Sequence, residues 1–279
     1  MSTTRFAPSP SGRLHLGHAL SAALGRAHGQ RWLLRIEDLD PARSRPEFVD
    51  GILEDLIWLG LTPDAPPLFQ SSRVAAYDDA LDRLRAAGLV YPCFCTRADI
   101  AASLTAPHGD AGAAYAGTCR GLPDDPARRA DTPHSWRLNA ATAIARIGGV
   151  PGWTEIDGTH VTGAPADIGD AILARKDAPA SYHLACVIDD ADSGVSIVVR
   201  GADLRPSTPV QRLLQMLLSL PEPRYLHHPL VTHDDGRRLA KRDHPPTLAA
   251  MRDAGFDGPS LARNLLTGFL PSGYRLTKA

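Results

Sequence analysis

Apolar positions along the chain alternate between short strand-like runs and longer stretches of helical period. Residues 4–7 read as a short strand, and Pro8-Ser9-Pro10-Ser11-Gly12 as a loop, because each proline fixes φ and pushes its predecessor to extended geometry. An Ala-rich helix is predicted over residues 18–28, closed by Gly29. Residues 32–36 form a nearly continuous apolar run, as expected of a buried parallel strand. Helices follow over 46–59 and 73–87, with Gly60 and Gly88 as their stops. Strand, helix, strand, helix predicts a doubly wound, Rossmann-like α/β parallel sheet.

From residue 93 to about 174 that rhythm fails. Gly, Pro and Ala loops, an Ala-rich stretch at 111–116 and a strand-like Ser135-Trp136-Arg137-Leu138 suggest an inserted, irregular module. Alternation resumes with an apolar run at 171–173, a helix around 182–188, a strand at 195–199, a helix at 207–220 with Pro209 in its first turn, and a strand at 226–231 interrupted by Pro229. Two short helices, 247–254 and 260–269, close the chain. The expected organisation is a first catalytic half at 1–92, an insert at 93–174, a second half at 175–245 and a short helical tail at 246–279.

Composition narrows the class. With 279 residues, 43% hydrophobic and 22% charged, the chain suits an ordinary globular protein, and no window approaches the roughly 18 apolar residues of a membrane span. The N-terminus lacks the basic and apolar regions of a signal peptide, so the cytoplasm is the expected compartment and a monomer the expected state. A net charge of −1 excludes a polycation that coats nucleic acid indiscriminately. The distribution is uneven: residues 224–279 carry nine Lys/Arg against five Asp, so a phosphate-rich partner is expected to meet the C-terminal fifth first. Only Lys176, Lys241 and Lys278 among the 30 basic residues are lysines, which singles out a lysine in a loop.

In an open parallel sheet, ligands bind at the carboxyl ends of the strands. Those ends carry Pro8–Gly12 followed by His15 and His18, then Glu37-Asp38-Leu39-Asp40, then Arg200-Gly201-Ala202-Asp203, then residues 232–242. His15 and His18, three apart at a helix entrance, share one face beside N-terminal amides that favour a phosphate, and Gly17 lets a flat ring approach the backbone. A bare pair of this spacing also suits a structural role or a weak metal site; the Pro-Ser-Pro-Ser-Gly lead favours a nucleotide. The loop Arg237-Arg238-Leu239-Ala240-Lys241-Arg242 places four cations in six residues. Alone it reads as a solvated turn; paired with the histidines it reads as a triphosphate clamp.

Together these segments resemble the class I aminoacyl-tRNA synthetases, whose two signatures are called HIGH and KMSKS. The matching residues are His15-Leu16-Gly17-His18 and Arg238-Leu239-Ala240-Lys241-Arg242. Arg5-Phe6-Ala7-Pro8-Ser9-Pro10-Ser11-Gly12, Arg35-Ile36-Glu37-Asp38-Leu39-Asp40 and Val199-Arg200-Gly201-Ala202-Asp203-Leu204 look like the glutamyl-tRNA synthetase branch. The second signature departs twice: arginine stands for its first lysine and Ala240 for its serine, which keeps the charge and removes a hydroxyl. Only 37 residues follow Arg242, so a helical anticodon-binding domain is not expected, and this shortened form resembles the glutamyl-queuosine tRNA(Asp) synthetases.

The resemblance implies activation of L-glutamate with ATP and Mg²⁺, and transfer to the queuosine base in the anticodon of tRNA(Asp). It assigns ATP binding to His15, Gly17, His18, Arg238, Leu239 and Lys241, with His15, His18 and Lys241 catalytic, and glutamate binding to Arg5, Ser9, Glu37, Tyr182 and Arg200. Glu37 is the expected ammonium partner, and Arg5 and Arg200 the expected carboxylate partners.

Cys93 and Cys95, two apart in an extended segment, project to one side, and Cys119 can close on them from a loop. Three thiolates suit one structural Zn²⁺. General chemistry nominates His108 as fourth ligand, whereas the resemblance implies Tyr115. Cys186 reads as core, and Asp189, Asp190 and Asp192 as solvated, since they lack the spacing of a calcium loop. Other readings remain: charging of a tRNA 3′ end, a small-molecule nucleotidyltransferase, or a zinc-bearing RNA-binding module without catalysis.

Overall fold

The structure, a computed structural model, describes residues 1–96, 99, 115–237, 239 and 246–277. His108, Arg238, Ala240, Lys241, Arg242 and most of the Ala-rich stretch, residues 111–114, lie outside the described residues.

Strand β1 (Thr3–Phe6) runs parallel to β2 (Arg31–Ile36), and β2 parallel to β3 (Leu68–Phe69). Helices α1 (Leu16–His28) and α2 (Pro46–Trp58) make the crossovers. A second pair of parallel strands, β9 (Ile197–Gly201) and β10 (Arg224–His228), is joined by a helix over Thr208–Leu217. The two ladders abut where Ser196 N–H donates to Thr3 O (3.0 Å) and Thr3 N–H to Ser196 Oγ (3.0 Å). The spatial order is therefore β3-β2-β1-β9-β10, and the winding reverses between β1 and β9, where a doubly wound sheet opens its crevice.

The sheet is cored differently on its two faces. On one, Phe6, Trp32, Leu34 and Ile36 are buried against α1, α2 and the C-terminal helices. α1 approaches closely because it is built from small residues: a Cβ on Gly25 would stand 2.8 Å from Trp32 Nε1. On the other face, the alternate positions Arg5 and Arg35 meet a helix over Tyr182–Asp192. Arg5 Nε donates to Asp190 Oδ1 (3.0 Å), and Arg35 Nη1 donates to the same oxygen. Asp189 is wholly inaccessible and receives Tyr77 Oη–H (2.8 Å), Gln70 Nε2–H (2.8 Å) and Arg73 Nε–H (3.3 Å). The expectation that Asp189 and Asp190 are solvated is thus overturned. The helix turns both carboxylates inward, and the arginines that neutralise them come from β1, β2 and the turn after β3, more than 110 residues away in sequence.

Residues 93–174 hold more regular structure than their composition suggests. α3 (Val74–Ala86) leads into β4 (Val90–Cys93), which pairs antiparallel with β5 (Ser135–Leu138), itself antiparallel to β8 (Ile172–Ala174). Helix α4 (Pro126–Asp131) precedes β5, and α5 (Ala140–Ile147) follows it. Two-residue strands β6 (Trp153–Thr154) and β7 (His160–Val161) form a hairpin that lies against β10, where Ile156 N–H donates to Tyr225 O (2.8 Å).

The helix over Tyr182–Asp192 is α6 and that over Thr208–Leu217 is α7. The single strand expected at 226–231 is two: β10 stays in the parallel sheet, and past Pro229 the chain turns into β11 (Val231–His233). A proline offers no N–H to continue a ladder. β11 pairs antiparallel with β12 (Tyr274–Leu276), which the sequence pattern left unassigned. Helices α8 (Leu248–Asp253) and α9 (Gly258–Leu266) pack beneath α1 and α2. Among the described residues, no helix is long and apolar enough to cross a membrane.

Candidate active site

The crevice between β1 and β9 opens into a cleft of about 610 Å³. Its floor is the chain after β1, pinned from both sides: Glu37 N–H donates to Pro8 O (3.0 Å) and Arg45 N–H to Pro10 O (3.1 Å). His15 caps α1, its Nδ1 accepting Gly17 N–H (3.1 Å), while His18 Nδ1 accepts His15 N–H (3.1 Å). The ring centroids lie 3.8 Å apart with the planes tilted by 41°. Because each Nδ1 is an acceptor, each neutral imidazole carries its proton on Nε2, and both rings are held as donors beside the positive end of α1. Gly17 serves this cap: a Cβ there would stand 3.0 Å from the His15 ring.

The cleft collects most of the residues nominated from sequence. Arg5, Ser9, Glu37, Tyr182 and Arg200 line it, as do His15, Gly17, His18 and Leu239. Arg238 and Lys241 lie outside the described residues, but the chain on either side of them returns to the histidines. Leu239 borders the cleft, His15 bridges antiparallel to Thr247, and Leu248 N–H donates to Leu14 O (2.9 Å).

The two cleft arginines differ in their partners. Arg5, 5% exposed, is neutralised by Asp190 and also donates Nη1–H to Val199 O (3.1 Å). Burial opposes the Asp190 charge, but Arg5 and Arg35 outweigh it and hold the carboxyl below its usual range. Arg200, 4% exposed, donates to His227 Nε2 (3.2 Å), Tyr182 Oη (3.4 Å), Gln211 Oε1 (2.6 Å) and Thr208 Oγ1 (2.8 Å). All four acceptors are uncharged, and among the described residues no carboxylate reaches Arg200.

Glu37 Oε1 accepts Arg35 Nη2–H (3.1 Å) and the Cys186 thiol (3.4 Å), and its Oε2 makes no hydrogen bond among the described residues. Burial, then the adjacent Glu37, pushes the Cys186 thiol well above its ordinary range, so it stays a proton donor. Sequence reasoning read Cys186 as plain core and missed Arg35 and Asp190. One signal was available: Arg35 interrupts the apolar run of residues 32–36, and alternation sets it opposite Trp32, Leu34 and Ile36.

A second cluster lies at the end of β4. The sulfurs of Cys93, Cys95 and Cys119 are within 4.8 Å of one another, and Tyr115 Oη is 3.5 Å from Cys93 Sγ and 4.0 Å from Cys95 Sγ. Four ligands at zinc bond lengths stand roughly 3.8 Å apart in a tetrahedron, so the donor set fits such an ion. Burial, then Cys119 and Cys93, pushes the Cys95 thiol up to about 12, a crowding of sulfurs that a bound divalent cation relieves.

Residues 1–273 match the family described as tRNA synthetases class I (E and Q), catalytic domain. A relative from Rhodobacter capsulatus, named Glutamyl-Q tRNA(Asp) synthetase, is 44% identical over 93% of this chain and 98% of its own length. One of the same name from Nocardia farcinica is 48% identical, covering 95% and 84% of the two chains. Among solved structures, the glutamate-tRNA synthetase of Elizabethkingia anophelis is similar with a TM-score of 0.71 at 26% identity. That match covers 91% of this chain and 54% of the other, so the chain spans about half the length of that synthetase.

Proposed function

The chain belongs to the class I tRNA synthetase catalytic domains of the glutamate and glutamine branch, and from that premise we propose that it activates L-glutamate with ATP and transfers it to the queuosine base of tRNA(Asp). One observation carries the first half of this reading. Arg200 is a buried cation with four uncharged partners, lining the cleft that the His15–His18 cap also borders. A buried charge without a counter-ion is costly, and a ligand carboxylate supplies the missing partner. Glu37 Oε2 offers the matching acceptor for an ammonium, and Arg5 Nη2, without a hydrogen bond among the described residues, offers a further donor.

In this reading an oxygen of the glutamate α-carboxylate attacks the α-phosphorus of ATP, a new P–O bond forms, and pyrophosphate departs. Mg²⁺ travels with ATP and screens its phosphates. The histidine Nε2–H groups donate to the nucleotide, and Lys241, with Arg238 beside it, neutralises charge developing on the leaving group. A queuosine hydroxyl then attacks the acyl carbon, AMP leaves, and the hydroxyl proton is lost. Cys93, Cys95, Tyr115 and Cys119 hold one structural zinc ion in a module spanning 93–174, between catalytic segments 1–92 and 175–245, with 246–279 as a helical tail.

Supporting this acceptor is the 44% and 48% identity to relatives named Glutamyl-Q tRNA(Asp) synthetase, against 26% to the glutamate-tRNA synthetase. The test is incubation of the pure protein with labelled glutamate, ATP and two forms of tRNA(Asp), one with queuosine and one with guanosine, each with and without its 3′-terminal adenosine. Label is expected only on the queuosine form, whether or not the 3′ end is trimmed. Label that follows the 3′ adenosine instead would assign the protein to ordinary charging.

A further inference from the structure

The direction in which Arg200 points is set from behind. His227 stands opposite Arg200 in the parallel ladder of β9 and β10, and Arg200 Nε lies 3.2 Å from His227 Nε2. A guanidinium only donates, so Nε2 presents its lone pair and the ring proton is on Nδ1. Nδ1 therefore donates to Glu155 Oε1 (2.7 Å), an oxygen that also accepts Trp153 Nε1–H (3.0 Å). The ring cannot swing away: it stacks on Tyr225 at 5.7 Å with planes 3° apart, and Trp153 packs edge-on. Glu155 is fixed in turn, because its N–H donates to Thr159 O (2.9 Å) and the next residue's N–H donates to Tyr225 O (2.8 Å).

We propose that Glu155 and His227 are positioning residues for glutamate: they aim Arg200 at the substrate carboxylate while leaving its charge uncancelled. This rests on the reading of Arg200 as the carboxylate receptor. The contrast with Arg5 supplies the logic. An acid placed directly on a guanidinium, as Asp190 is on Arg5, fixes its direction but competes with any anionic ligand. Interposing an imidazole keeps the directional bond and moves the negative charge one residue away. Burial holds the His227 imidazole down, to about 4, so the ring is uncharged through the neutral range although Glu155 pulls the other way. The hairpin of β6 and β7 thereby reaches the substrate pocket through a single hydrogen-bonded chain, with none of its residues lining the cleft.

The test uses full-length protein and glutamate-dependent ATP–pyrophosphate exchange. A hydrogen bond to a charged group contributes about 1.5–3 kcal/mol, or roughly tenfold to a hundredfold in an equilibrium constant. His227→Phe is expected to raise the KM for glutamate about tenfold or more while the KM for ATP moves less than about twofold. Glu155→Ala should do the same more weakly, and Glu155→Gln, which keeps the acceptor for Nδ1–H, should restore glutamate KM to near the wild-type value. The Glu155 pair decides the question should His227→Phe not fold. Unchanged glutamate KM in both His227→Phe and Glu155→Ala, parallel rises in both KM values, or a Glu155→Gln variant as impaired as Glu155→Ala would each overturn the proposal. Arg200→Gln separates the two levels. If it removes glutamate use while the other variants do nothing, the relay alone is wrong; if it leaves glutamate KM untouched, the receptor reading fails as well.

Discussion

Arg5 and Arg200 sit on adjoining strands, are buried to nearly the same degree and open on one cleft, yet the protein treats their charges in opposite ways. Arg5 belongs to an ionic layer with Arg35, Asp189 and Asp190 that fastens the sheet to α6 where an apolar layer would ordinarily do so. Arg200 has hydroxyls, an amide and an imidazole around it. The first arrangement balances its charges without ligand, and Arg5 keeps only Nη2 toward the cleft; the second has no counter-ion among the described residues and is the one proposed to receive the ligand carboxylate. Burial alone therefore does not distinguish the two arginines, but the charge of their partners does.

That contrast can be broken by exchanging what each side lacks. The largest effect is expected from Asp190→Ala, which strands Arg5 and Arg35 as buried cations and should cost about 3–5 kcal/mol of stability in denaturant unfolding. Arg200→Gln should show the converse: unfolding altered less than in Asp190→Ala, because no acid loses a partner, with glutamate-dependent exchange reduced by about 10²–10³ in kcat/KM. Lys241→Ala tests the phosphate end of the cleft. It should lower kcat by about 10²–10³ while glutamate KM stays near its wild-type value. Should glutamate KM rise in parallel with the fall in kcat, the division of the cleft into a carboxylate end and a phosphate end would be wrong.

The smallest effect is a pH dependence that sets two buried acids against each other. Asp190 is held below the ordinary carboxylate range by Arg5 and Arg35, so its stabilising contribution is complete in the neutral range and is lost only as pH falls through its lowered pKa. Asp55, buried on α2 with Arg252 Nη1 at 3.3 Å, is instead pushed up to about 6 by burial, which outweighs that arginine. Its folded form prefers the proton, so the contribution of Asp55 is favourable below about pH 4 and disappears as pH rises through 6. Chemical denaturation of Asp55→Asn at pH 4 and pH 7 should show the variant gaining relative to wild type at pH 7. Equal differences at both pH values would remove Asp55 from the account.

The lining of the cleft was legible where it is written in short, contiguous segments. Pro8–Gly12 with His15 and His18, Glu37 after β2 and Arg200 at the end of β9 each follow a strand readable from its apolar run, and the rule for parallel sheets brings those ends together. Sequence could not show which arginine was already neutralised. Arg5 and Asp190 are 185 residues apart, and the aspartates read as a solvated acidic run until α6 is docked under the sheet. β3, β6 and β7 were missed because two residues carry no period, and β12 because it is ordered by pairing with β11 at the far end of the C-terminal helices. The thiols of Cys93, Cys95 and Cys119 were readable as a cluster from spacing, and the fold brings them within reach of Tyr115.

The most direct test of an uncancelled cation awaiting a carboxylate is the choice between glutamate and glutamine, which share size and shape and differ in the charge of one side-chain group. Measured by ATP–pyrophosphate exchange, glutamate should support turnover and glutamine should fall at least about a hundredfold short in kcat/KM. With Arg200 assigned to the side-chain carboxylate, comparable exchange with the two amino acids would contradict the account, because a neutral amide would then satisfy Arg200 as well as an anion does.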